Sequence, residues 1–151
     1  MMLRRAFWTV FGLTGLVYLL MLTWTLPSIS DAAGGLIAFD LRPSGYSFAQ
    51  AQEFLTALSA EGLALYLGPQ AWLDLFFPGL LTLMLGLGYY MLFSRRLAHV
   101  LSLVALASAL FDWSENRAVA GLLQLGGGGV DPAAVEFASR MTVLKSVTST
   151  I

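Results

Sequence analysis

Four stretches of the chain are dominated by apolar residues, and polar positions divide them. Ala6 to Leu26 holds no charge and only scattered threonines. About 21 residues at ~1.5 Å each reach roughly 31 Å, the depth of a bilayer core. Trp8 and Trp24 sit near its ends, where amphipathic rings favour the headgroup level, and Pro27 is expected to stop it. Arg4 and Arg5 before an apolar stretch also fit a secretory leader with a weak cleavage site at Ser30-Asp31-Ala32. Leader cores run about 7–15 residues, so the length points to an uncleaved span. Ala71 to Phe93 is the second run, with Asp74 and Pro78 in its first turns. The third, Leu97 to Leu125, is apolar to Phe111, then reads Asp112-Trp113-Ser114-Glu115-Asn116-Arg117, then turns apolar again. At about 43 Å it is longer than the hydrocarbon, so one end must project or break.

Gly126 to Gly129 is a flexible turn, and Asp131-Pro132 is a helix start with Asp as N-cap. The helix it opens runs to the end of the chain but is interrupted by Glu136, Arg140 and Lys145. It reads as a fourth helix shielded by the other three, with an interfacial helix as the alternative. Between the first two runs, Ser47-Phe48-Ala49-Gln50 has the capping-box pattern. Phe48, Ala51, Leu55, Leu58 and Gly62 follow at three- and four-residue spacing, so 47–66 is expected to be an amphipathic helix, with a break at Gly68-Pro69. The expected fold is all-α. It is one membrane-embedded domain over 1–151, an antiparallel four-helix bundle with spans near 6–26, 71–93, 97–120 and 132–151, plus the amphipathic loop helix.

Composition sharpens this. Of 151 residues, 58% are hydrophobic and 11% charged, against roughly 45–50% and 25% in soluble domains. Eight Lys and Arg against nine Asp and Glu leave no basic field, so a nucleic-acid partner is not expected. The absence of cysteine excludes disulfides, thiol nucleophiles and cysteine-bound metals, and a single histidine, His99, gives no His-rich metal site. No cofactor motif is present: the four-glycine run lacks the Lys-Ser/Thr of a phosphate loop. Orientation follows lysine and arginine: Arg4-Arg5 and Arg95-Arg96 are expected on the cytoplasmic side, separated by two spans. That places the N-terminus inside and the 27–70 loop outside, in what is expected to be a bacterial inner membrane.

Asp74, Asp112, Glu115, Arg140 and Lys145 are the ionisable residues in or near the spans. At ~1.5 Å per residue, Asp74 lies roughly 6 Å and Asp112 about 8 Å below the outer face. Glu115 and Asn116 fall near that face, Arg140 about 12 Å in and Lys145 about 20 Å in. Asp112, Glu115 and Asn116 share one helix face at i, i+3, i+4, with Arg140 and Lys145 as natural partners. Pro78 has no N–H, so the Asp74 carbonyl loses its helical donor and is expected to be open to a cation, a water or a hydroxyl. Two readings stand for this cluster. One is structural: ion pairs fix helix register, and Glu115 to Arg117 anchor the interface. The other is a ligand or catalytic site, because charge inside a membrane marks function.

The order Tyr66 … Asp74-x-x-x-Pro78, Asp112-x-x-Glu115-Asn116, Ala138-Ser139-x-x-Thr142-x-x-Lys145 resembles a group of small four-span bacterial membrane proteins without assigned activity. The resemblance covers roughly Ser47 to Lys145 and rests on the order of short motifs. It implies a four-helix membrane fold with these polar residues facing one another, and no activity. Only six residues follow Lys145, where the pattern's final span continues further.

The leading expectation is a multi-pass membrane protein whose polar cluster binds a lipid or small amphipathic ligand, or a partner, with a second copy of the chain as one such partner. The alternative is a membrane enzyme with Asp112 and Glu115 as proton donor and acceptor. A proton-coupled exporter ranks third, because the first span carries no carboxylate.

Overall fold

The computed structural model describes residues 1–150. Five helices account for most of the chain. They are α1 (Met2–Ala32), α2 (Phe48–Ala57), α3 (Ala60–Leu92), α4 (Arg95–Leu125) and α5 (Pro132–Thr150). A short 3-10 turn, Phe39–Leu41, lies between α1 and α2. Helices α1, α3 and α4 are long and apolar enough to cross a membrane, and this is a membrane protein of the all-helical class. Helix α5 does not meet that criterion: Glu136, Arg140, Lys145 and a tail of Ser and Thr keep its apolarity too low.

Two prolines expected to end helices do not. Pro27 lies inside α1, which continues to Ala32, and Pro69 lies inside α3, which already starts at Ala60. The reason is local. Each proline has no N–H and crowds the carbonyl one turn earlier. A wide turn with i→i+5 bonding absorbs that mismatch by inserting one residue. Such π turns occupy Met21–Thr25, where Leu26 N–H bonds Met21 O, and Tyr66–Gln70, where Ala71 N–H bonds Tyr66 O. The segment 47–66 accordingly divides. Ser47 caps α2 in a complete capping box with Gln50, α2 ends at Ala57, and Ser59 caps α3 through Gly62 N–H. Asp31 and Ala32, expected in a loop, are the last residues of α1.

Helices α1 and α3 run antiparallel along their length. Tyr18 stacks on Phe77 at 5.8 Å, Thr25 bonds Gln70, and Ser59 N–H bonds Ala32 O at 2.9 Å. Helices α3 and α4 meet through Phe93 and Ser94 and pack back to back. Thr82 bonds Ala105 O at 3.2 Å and the Trp113 indole N–H bonds Leu75 O at 2.9 Å. Helix α5 then lies along α4, and α2 rests on α5. No comparable packing joins α5 to α1.

The molecule has two unlike halves. At the end away from Arg95, the tops of α1, α3, α4 and α5 with α2 and the 3-10 turn enclose a buried core. Ile29, Phe39, Phe54 and Leu122 are its centre. Toward Arg4 and Arg95 the helices instead turn Trp8, Phe11, Leu16, Leu83, Leu103 and Leu110 outward. An apolar surface of that extent is what lipid contact requires. Gly45 closes the loop onto α5. Its φ of 81° suits glycine, and a Cβ there would sit 2.6 Å from Ser139 Oγ, the atom that accepts the Tyr46 N–H at 2.9 Å.

The α1–α3 contact gives a direct test. A Cβ on Gly62 would lie 2.6 Å from the Ala32 Cβ, which cannot swing away. Gly62→Ala is expected to cost about 1–3 kcal/mol of stability by overpacking. Gly15, with open space around it, gains up to about 1 kcal/mol on change to Ala through helix propensity. Thermal unfolding in detergent reads both, and equal melting points for the two variants would contradict the packing.

Candidate functional site

The cluster is built by two pairs at helical spacing. On α4, Asp112 and Glu115 are i, i+3; on α5, Thr142 and Lys145 are i, i+3, so each pair presents one face. The Lys145 ammonium pairs with Glu115 Oε2 and stands 3.5 Å from Asp112 Oδ1. The Thr142 hydroxyl reaches Glu115 Oε1 at 2.5 Å. Both oxygens of Glu115 are therefore engaged, and the residue is fully buried. This corrects its reading as an interfacial anchor. Helix α5 lies over it, so its position in α4 does not expose it.

Arg140 is not in the cluster. It pairs with Glu136 at 2.5 Å one turn earlier on the same helix, with side chains 71% and 63% exposed. Spacing explains the split: five residues separate Arg140 from Lys145, which turns them to different sides of α5, and Val135, Ala138 and Thr142 form the buried face.

Asp74 belongs to a second strand of polar contacts. Gln70 Nε2 donates to Asp74 Oδ1 at 2.7 Å, and Gln70 Oε1 accepts from Thr25 Oγ1. The two π turns thus face each other through Thr25 and Gln70, both fully buried. The Asp74 carbonyl freed by Pro78 is not open to a ligand. Asn116 Nδ2 donates to it at 3.1 Å and replaces the missing helical donor. Asn116 therefore has a structural task, stitching α4 to α3 where the proline breaks the ladder.

Residues outside the expected set complete the site. Asp40, in the 3-10 turn, accepts a hydrogen bond from the Tyr66 hydroxyl. Arg42 steadies that turn, donating from Nε and Nη2 to Ile37 O at 2.9 and 2.6 Å with its guanidinium 5.8 Å from the Phe39 ring. The available signal for Asp40 was an acid inside an apolar loop segment, Leu36-Ile37-Ala38-Phe39-Asp40-Leu41. For Thr25 and Gln70 it was a polar side chain beside a proline in an apolar span. Tyr46 packs near Glu115 and Thr142; burial first, then the Glu115 charge, pushes its phenol up, so it stays neutral.

A cavity of about 590 Å³ opens beside this cluster, within the range of ~300–1,000 Å³ for small-molecule sites. Asp40, Asp74, Asp112 and Lys145 line one end. Leu81, Leu85, Leu101 and Val104 line the other. Its sides are Tyr18, Met21 and Leu22 of α1 and the Ser146–Thr150 turns of α5, the two helices that do not pack together. The cavity therefore lies between them. A second cavity of about 340 Å³ lies between α3 and α4, and Asp40 and Asp74 line it too. Glu115 lines neither. Among the described residues no group of His, Asp and Glu side chains has metal-binding geometry. His99 lies apart, exposed at the Arg95 end, with Nδ1 2.6 Å from Arg95 O.

The site and fold together define a helical membrane protein with a polar-ended cavity between its long helices. Compared with family models, curated proteins and solved structures, the chain matches none.

The pairings separate two classes of charge. Lys145→Met leaves Glu115 buried without a cation and is expected to cost about 3–5 kcal/mol, whereas adding Glu115→Gln recovers most of it. Arg140→Ala, at an exposed pair, changes stability by less than about 1 kcal/mol. Unfolding midpoints in detergent measure all three; a large loss for Arg140→Ala with none for Lys145→Met would reverse the assignment.

Proposed function

We propose that this is a multi-pass membrane protein that binds an amphipathic molecule, with its head at the Asp40, Asp74, Asp112 and Lys145 end of the cavity and its hydrocarbon chain along Leu81, Leu85, Leu101 and Val104. In this reading α1, α3, α4 and α5 form an antiparallel four-helix bundle. Helix α5 is the fourth member and lowers its last turns into the membrane half, although it is too polar to span alone. Arg4, Arg5, Arg95 and Arg96 face the cytoplasm, and the enclosed core stands on the outer side of a bacterial inner membrane. The resemblance to small four-span bacterial membrane proteins is part of the same proposal.

The observation that carries it is the cavity's lining: acids and Lys145 at one end, Leu81, Leu85, Leu101 and Val104 at the other beside the hydroxyls of α5, with α1 and α5, which share no extensive packing, along its sides. A chain entering from the bilayer side keeps its apolar part in apolar surroundings throughout. A purely structural role accounts for Glu115, Thr142 and Asn116, each of which bonds or pairs across a helix contact. It gives no reason for a cavity beside Asp74 and Asp112. An enzyme using Asp112 and Glu115 as a proton-transfer pair has less support, because Glu115 lines neither cavity.

Native mass spectrometry of the protein in phosphatidylcholine nanodiscs tests the reading. An amphiphile is expected to stay bound to the wild type. Val104→Trp, which fills the apolar end, is expected to release it while the protein stays folded. Protein that retains nothing, or that binds equally after Val104→Trp, would sink the proposal.

A further inference from the structure

The charged end of the cavity has a marked imbalance. Asp40, Asp74 and Asp112 line it, and Lys145 is the single cation that does so. That ammonium is already held by Glu115 and shared with Asp112. Two carboxyl groups thus hold the one ammonium, and two more, Asp40 and Asp74, line the same end. Asp40 and Asp74 have no cation within ion-pair distance among the described residues. Of the nearby guanidiniums, Arg42 donates to Ile37 O and lies against Phe39, and Arg117 is exposed and lines the second cavity with Asp40 and Asp74 but not the first.

Asp74 makes the imbalance specific. It is 8% exposed and lines the cavity, yet its one side-chain hydrogen bond goes to Oδ1 from Gln70. Among the described residues Oδ2 has no hydrogen-bond partner, and Asp74 lines both cavities. A carboxyl oxygen without a partner can accept from a donor or meet a cation there. Protons can balance charge but need no room. Here the same three carboxylates open on a space large enough for a head and a chain.

We infer that the head this cavity takes is positively charged: a protonated amine carried on a single hydrocarbon chain, received by Asp74 and Asp40 with Asp112 at its edge. The inference rests on the binding role proposed above and adds the sign of the head. An anionic head, such as a phosphate or carboxylate, would meet three carboxyl groups and an ammonium already paired with Glu115 and Asp112. A neutral alcohol would leave those carboxyl groups without a cation. Tyr18 stacks on Phe77 in the cavity wall, close to the same level, and ring faces there are compatible with a cation.

Three probes with one chain length decide the sign: dodecylammonium, dodecanoate and dodecanol, each added to the full chain in phosphatidylcholine nanodiscs, with bound copies counted by native mass spectrometry against empty discs. Dodecylammonium is expected to exceed the other two by about tenfold or more, the value of one charge-assisted hydrogen bond. Asp74→Asn is expected to erase most of the preference for dodecylammonium over dodecanol. Asp40→Asn, on the loop rather than on a long helix, is the second variant should the first fold poorly, and is expected to reduce the preference in the same sense. An amine released from the protein as purified marks a membrane lipid as the source. Uptake of dodecylammonium by protein that releases none marks a dissolved amphiphile, and either result supports the assignment. Equal or stronger retention of dodecanoate or dodecanol overturns the charge of the head while the cavity's binding role stands. Retention of none of the three, with wild type and Val104→Trp alike, overturns both.

Discussion

A charged group in a low-dielectric interior must find its opposite, and the join between α4 and α5 depends on that requirement. Glu115 is fully buried, so its carboxylate must be matched on both oxygens, and α5 supplies the match with Thr142 and Lys145 one turn apart. Helix α5 is too polar to enter hydrocarbon by apolarity alone. Its Val135, Ala138 and Thr142 face gives packing, and the ion pair fixes how far along α4 it sits. The remainder follows from that position. The last turns of α5 become one side of the cavity, Asp112 is held at its edge, and the space between α5 and α1 stays open.

The α3 helix answers a different problem. Pro69 and Pro78 both remove backbone donors from a helix that must remain intact in lipid. At Pro69 the backbone widens into a π turn; at Pro78 a side chain from the next helix, Asn116, takes the donor's place. Both solutions leave polar groups at one level of the molecule: Gln70, the Asp74 carbonyl and the Asp74 carboxylate. Polar chemistry at that depth is partly the by-product of keeping a proline-bearing helix continuous.

The apolar runs revealed the long helices because uninterrupted hydrocarbon of that length has few other uses. The i, i+3 face of Asp112 and Glu115 pointed to Arg140 and Lys145 as partners, but depth along α5, about 12 Å against about 20 Å, favoured Arg140 over the residue that makes the pair. Less was legible where one-dimensional spacing meets three-dimensional wrapping. Arg140 and Lys145 are both basic, yet only the residue on the buried face of α5 reaches α4. Proline was read as a stop because the sequence does not show whether a neighbouring helix will accommodate a wide turn; here Thr25 and Gln70 supply that partner for each other. Asp40 escaped notice because it comes from a loop, and loops are brought to a site by folding of the whole enclosed core rather than by any local period. The Glu115 position was misjudged for the same reason: depth along a helix says nothing about which neighbour will cover it.

The opposed π turns at Met21–Thr25 and Tyr66–Gln70 carry one more consequence. An inserted residue advances a helix's phase by about 100°. Above the insertion, α1 and α3 turn Ile29 and Leu63 toward the enclosed core; below it they turn Leu16 and Leu83 outward. The slip uncouples the two stripes, so a single continuous rod serves two surroundings whose demands would otherwise conflict. Both rods slip at the same level and touch there through Thr25 and Gln70.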